Sequence, residues 1–129
     1  RYGGMWLFVY AHLLKVQEGI DYFQSSPYLK NTFYYRLYQC NGDFTRQMNY
    51  GDCHDRYSSH PVCVYYKVAA EYRNGHAQKL GNMVVKEFLA QEAANSKVKP
   101  GILPEAIFEF LWYDPSVEER EFDDLPLAR

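Results

Sequence analysis

The 129-residue chain predicts an all-α protein, and three observations carry that expectation. Apolar residues recur at three-to-four spacing in several separate stretches, no stretch alternates convincingly with period two, and helix-start and helix-stop residues punctuate the stretches. The length suits one domain with a modest core.

Residues 4–18 read as a helix that is apolar nearly all round, broken only by His12 and Lys15, and such a helix is expected to be buried on most sides. His12 within it reads as a hydrogen-bonded core histidine rather than a ligand. Ser26-Pro27 gives a cap followed by proline at the first helical position. Leu29, Phe33 and Leu37 follow at spacing four, with Tyr34 and Tyr38 alongside, in a second helix ending near Cys40-Asn41-Gly42. A polar loop occupies residues 41–59. Pro61 opens a third helix with Val62, Tyr65, Tyr66, Ala69 and Tyr72 on one side, and Asn74-Gly75 is expected to stop it with a left-handed cap. A fourth helix, residues 76–95, places Ala77, Leu80, Val84 and Phe88 on one face. Pro100-Gly101 breaks the chain, Pro104 starts a fifth helix to about residue 113, and an acidic, proline-punctuated tail without period follows. Helix one is too apolar for the edge of a self-contained bundle, and both ends read as cut from something larger.

Net charge is −2 with the two signs interspersed. Nucleic acid is therefore a poor partner, because a phosphate backbone needs a concentrated positive surface. The apolar run 5–14 is about half the ~18–20 residues of a membrane span, so no membrane partner is expected. Aromatic residues make up 18% of the chain, thirteen of them tyrosines. Most are expected to pack, Trp6 and Trp112 among them, and a few to line a site. Cys63 reads as a buried thiol. Cys40 and Cys53 bracket the polar loop and either pair in an oxidising compartment or stay reduced. No CxxC or HxxxH spacing suggests a metal site.

The segment Asn49-Tyr50-Gly51-Asp52-Cys53-His54-Asp55-Arg56-Tyr57 concentrates a histidine, two carboxylates, an arginine and two phenols beside a glycine. That is the inventory of a polar binding or catalytic surface on a helical scaffold. Quieter readings stand beside it. Asp52 and Asp55 can cap turns, Arg56 can pair with either on the surface, and His54 and His60 can face solvent. Tyr50 and Tyr57, being in the loop, are the better stacking candidates.

Tyr2-Gly3, Gly19-Ile20-Asp21-Tyr22-Phe23, Pro27-Tyr28-Leu29-Lys30-Asn31-Thr32, Asn49-Tyr50-Gly51-Asp52 and Phe122-Asp123-Asp124-Leu125-Pro126-Leu127-Ala128-Arg129 occur in an order that resembles heparinase II/III-like polysaccharide lyases. The resemblance spans most of the chain on gapped motifs. It implies that residues 1–113 form part of an (α/α) toroid of antiparallel helix pairs and that 114–129 lead toward a β-sandwich domain. It also implies a periplasmic or secreted setting and an anionic polysaccharide cleaved by β-elimination. Tyr2, or a close neighbour, is similar to the family's catalytic tyrosine. His54 is a candidate base or donor, and Asn49, Tyr50, Asp52, Arg56 and Tyr57 are candidate substrate contacts. No cofactor is expected in this chain. The family's metal ligands belong to the sandwich, and its charge-neutralising Asn/His pair lies upstream, so the isolated chain is expected to be inactive.

Two rival readings follow from the same residues. A glycoside hydrolase on a similar toroid needs two carboxyl groups across a glycosidic bond, and Asp52 and Asp55 suit one turn better than opposite sides of a sugar. A non-catalytic helical interaction module needs no shared cleft.

Overall fold

The computed structural model describes residues 2–44, 48, 62–88, 94 and 103–126. It is all-α: among the described residues there is no β-strand. The helices are α1 (Tyr2–Glu18), α2 (Tyr22–Ser25), α3 (Pro27–Leu37), α4 (Val62–Tyr72), α5 (Gly75–Met83) and α6 (Leu103–Trp112). A π-helical turn, Val84–Phe88, continues α5. None of these helices is long and apolar enough to cross a membrane.

Local chemistry sets the helix ends. α1 stops where Gly19 takes φ +70° and Ile20 N–H donates to the Leu14 carbonyl, a left-handed stop that a side chain would strain. Asp21 caps α2 by accepting from the backbone N–H of Phe23 and Gln24. Ser26 caps α3, with Pro27 at its first position. After α4 the left-handed residue is Arg73, at φ +51°, and not Asn74-Gly75 as the sequence suggests. Asn74 is instead extended, because its side chain accepts from Ala77 N–H and starts α5.

α4 is the axis of the bundle. Val62 through Ala69 are all buried, and α1, α3, α5 and α6 pack around it. Tyr66 donates to Asn82 Oδ1 at 2.9 Å and packs where a Cβ on Gly81 would stand, so α5 runs back along α4. Leu29, Phe33 and Leu37 form the buried stripe of α3, and Met5, Phe8 and Ala11 that of α1. Cys63 and Trp112 are buried, as expected. The outer face of α1 is not. Trp6, Leu7, Tyr10, Leu13 and Val16 are exposed, with Trp6 55% accessible, so the expected near-complete burial of helix one and of Trp6 does not occur within this chain.

Residues 113–126 form neither helix nor strand, yet they are tied along the bundle as a strap. Arg73 donates to Asp114, Ser116 Oγ and the Ser116 carbonyl. Arg120 N–H donates to the Gly75 carbonyl at 3.1 Å, and His76 Nε2 lies 2.8 Å from Asp124 Oδ1. Phe122 packs between Phe44 and His76, and Tyr38 donates to the Pro126 carbonyl.

Gly75 is where the strap comes closest: a Cβ there would sit 2.6 Å from the Glu118 carbonyl oxygen and 2.8 Å from Arg120 Cβ. Gly75→Ala should cost about 1–3 kcal/mol in urea unfolding, because backbone must move. Gly42→Ala, which meets nothing within 4 Å, should change stability by less than about 0.5 kcal/mol. Phe8→Ala should cost about 3–5 kcal/mol, whereas Trp6→Ala should stay within about 0.5 kcal/mol of the parent chain.

Candidate functional site

The candidate residues Asn49, Tyr50, Asp52, His54, Arg56 and Tyr57 lie outside the described residues, as do Asp55, His60 and the Cys53 end of the proposed Cys40–Cys53 pairing. Tyr2 is described only as the first residue of α1. Residues 38–44 and 62–72, which flank them in the chain, are described.

His12 meets Lys67 and Lys15 meets Glu71, so α1 and α4 run in the same direction. α3 runs against both: Tyr72 of α4 donates to the Phe23 carbonyl just before α3, while Tyr65, near the start of α4, packs against Phe33. The start of α1, the end of α3 and the start of α4 therefore share one end of the bundle. A groove opens there between α1 and α3, with a volume of about 180 Å³. Gly4, Gln39 and Val64 are among its lining residues. Gln39 also accepts from Met48 N–H at 2.7 Å, drawing the chain back to the same place. Gln39, which precedes the polar segment in the chain, and Val64, which follows it, thus line the same groove as Gly4 in the first turn of the helix that carries Tyr2.

The groove floor is apolar: Phe8, Phe33, Val64 and Tyr65 are buried. Burial pushes the Tyr65 phenol up to about 12, against the opposing pull of Arg36, to which it is hydrogen-bonded. Such a phenol stays protonated at neutral pH and packs rather than shuttles protons. The walls differ. Tyr28, Thr32, Tyr35 and Gln39 form one stripe of α3 and its extension, at spacings of four, three and four, beside the buried stripe. Tyr34 and Tyr38, the tyrosines that stand alongside the apolar spacing in the sequence, lie off that stripe. Of these, Tyr34 packs against His76 and Tyr38 ties the strap.

A second polar cluster lies further along the same helices. Lys67 is 5% exposed, donates to Glu71 Oε1 at 2.7 Å, and stands over the rings of Phe23 and Trp112. Its ammonium lies 3.0 Å from His12 Nδ1. An ammonium can only donate, so Nδ1 accepts and the neutral ring carries its proton on Nε2. Lys15 bridges Glu71 at 2.6 Å and Asp21 at 3.1 Å. Burial raises the Glu71 carboxyl, but hydrogen bonds from Lys15 and Lys67 outweigh it and hold it below its ordinary value. Burial and then the neighbouring Lys67 lower His12 below 6.5, with Glu71 opposing. Every charge in this cluster has a partner, which makes it a structural brace. Its signal in the sequence was the Lys67–Glu71 pair at i, i+4 inside an otherwise apolar run.

The His12 shift has a defined sign. The folded protein takes up this proton less readily than the unfolded chain, whose histidine titrates near 6.5. The contribution is therefore full above that value and is lost as pH falls through it toward the lower folded value. The urea midpoint should drop between about pH 7.5 and about pH 5.5, and His12→Asn should lessen the drop. An equal pH dependence in the variant would remove His12 from the brace.

Comparison of the chain with family models, with curated proteins and with solved structures finds no match.

Proposed function

We propose that this chain is part of a polysaccharide lyase that cleaves a uronic-acid-containing polysaccharide by β-elimination, and that its helices form an arc of an (α/α) toroid. The reading rests first on the motifs that resemble heparinase II/III-like lyases. The observation that carries it further is the shared lining of one groove by Gly4, Gln39 and Val64. That lining gathers the start of α1 and both borders of the polar segment at one end of the bundle.

The chemistry needs three things. The uronate charge must be neutralised so that the C5 proton becomes acidic, a base must take that proton, and an acid must protonate the leaving oxygen as the C4–O bond breaks. The C5–H electron pair becomes the C4–C5 double bond, and the C4–O pair departs with the leaving sugar. In this scheme Tyr2 is the acid/base at the head of α1. His54 is a second donor or base, and Arg56 pairs with substrate carboxylate. Asn49, Tyr50, Asp52 and Tyr57 position the sugar. The charge-neutralising amide and imidazole groups come from other segments, so the isolated chain is inactive in this scheme.

The toroid part is supported by the two exposed apolar faces. Those of α1 (Trp6, Tyr10, Leu13) and α6 (Ile107, Phe110, Leu111) belong to helices that both pack on α4. In a toroid each helix packs between neighbours, and such a helix is apolar on more than one side.

The test is a continuous ultraviolet assay of the complete parent protein on uronate polysaccharides. Elimination yields an absorbing unsaturated uronate, and Tyr2→Phe should lower kcat by about 10²–10⁴ while leaving the fold intact. Polysaccharide cleavage without the absorbing product would replace this reading with hydrolysis.

A further inference from the structure

We propose that the outer faces of α1 and α6 form one interface on which a second copy of this chain docks as a two-fold pair, with the α1 seam at its centre. The pairing concerns the 129-residue chain by itself, in which the described residues leave both faces exposed, and it does not rest on the lyase reading.

The seam of α1 has the spacing of a helix made to meet another helix. Trp6, Tyr10, Leu13 and Gln17 stand four, three and four residues apart, the a/d repeat of knobs-into-holes packing. All four are exposed, Tyr10 to 59%. They lie on the side of α1 away from Met5, Phe8 and Ala11, the stripe that it buries in the core. That inner stripe already holds α1 in the fold, so the outer seam is surplus to folding one chain. α6 widens it. His12 of α1 and Trp112 of α6 meet edge to face at 5.8 Å, and both helices pack on α4, so they are neighbours. Outward from α6 stand Ile107, Leu111 and Phe110, the last 85% exposed.

The area suits a stable pair. Leu7 and Val16 flank the α1 seam and are also exposed. At roughly 200 Å² for a fully exposed large side chain, the apolar residues of the two faces leave about 900 Å² in water. The largest apolar patch on a monomer is typically about 300–600 Å², whereas a stable interface takes about 800 Å² from each partner.

A second copy is the occupant that this chemistry fits. No Lys, Arg, Asp or Glu stands between Tyr2 and Leu14, so two α1 seams bring no like charges together. For the same reason the seam carries no charge pattern with which to select a partner of opposite sign. A heptad seam meshes with its own copy, because the same knobs and holes face each other across a two-fold axis. A lipid surface fits less well. Helices that lie on membranes carry several Lys or Arg on their polar face. α1 has the single Lys15, which is tied to Glu71 and Asp21, and the net charge of the chain is −2.

The experiment is sedimentation equilibrium of the 129-residue chain between ~1 and ~200 μM, a range that brackets a modest protein–protein affinity. Flotation with phosphatidylcholine vesicles is run beside it. The mass should rise from the 15.2 kDa of one chain to twice that value and stop there. Leu13→Glu and Phe110→Glu each place a carboxylate in the interface without touching the core, and each should weaken pairing about tenfold or more. Trp6→Ala should weaken it about fivefold, while its urea midpoint at the dilute, monomeric end stays that of the parent chain. Tyr28→Ala, exposed on α3 and off both faces, should leave pairing unchanged. The mass of one chain at every concentration, or a dimer that both carboxylate variants leave intact, would overturn the proposal. Growth beyond two copies would replace the two-fold pair with head-to-tail stacking. A monomer that floats with the vesicles would assign the faces to lipid. None of these outcomes alters the ultraviolet assay, on which the lyase reading stands or falls separately.

Discussion

A helix buried along eight consecutive residues imposes the arrangement of everything around it. Val62–Ala69 offers no face to water, so α4 needs cover on every side, and α1, α3, α5 and α6 supply it. Lys67 lies within that stretch, and its ammonium would be costly to bury alone. Glu71 meets it one turn later, Lys15 then balances Glu71, and His12 accepts from Lys67. The requirement to satisfy one buried cation thereby fixes the register of α1 against α4. Sliding α1 by a turn would part Lys15 from Glu71 and His12 from Lys67, leaving the Lys67–Glu71 pair within α4 on its own. That register sets Gly4 near Val64 and gives the groove its shape.

Much of this was legible beforehand, where a residue's local chemistry decided its place. Ser26-Pro27 starts α3, Leu29, Phe33 and Leu37 are its buried stripe, and Cys63 and Trp112 are core. Where structure and sequence pattern differ, the reasons are particular to each position. Asn74 is a plausible helix stop, but its side chain does more by capping α5, so Arg73 takes the left-handed turn. Trp6 has the composition of core and sits on the face of α1 turned away from α4. Four residues of α2 are too short for a periodic signal, and only the Asp21 cap marks them.

The C-terminal stretch shows the same limit. Its acidic, unperiodic sequence reads as a linker, yet Arg73, Gly75, His76 and Tyr38 each hold a different part of it. Partners spaced so far apart leave no local pattern. Through Phe122 against Phe44 and Pro126 against Tyr38, the strap reaches the end of α3, close to Gln39 of the groove. The polar segment 49–57 carried the strongest chemical signal in the sequence and lies outside the described residues. Its borders, and the tyrosine stripe beside them, are what the structure adds.

The claim on which the functional account turns is that the end of the bundle lined by Gly4, Gln39 and Val64 is where substrate sits. It is tested most directly with a uronate tetrasaccharide carrying a nitroxide, added to the isotope-labelled chain and followed by amide line broadening. The expected result is broadening strongest at Gly4, Gln39 and Val64 that fades along α3 toward Tyr28 and is weakest at Glu71 and Arg73. Broadening centred on Glu71 and Arg73, or none anywhere, would contradict it.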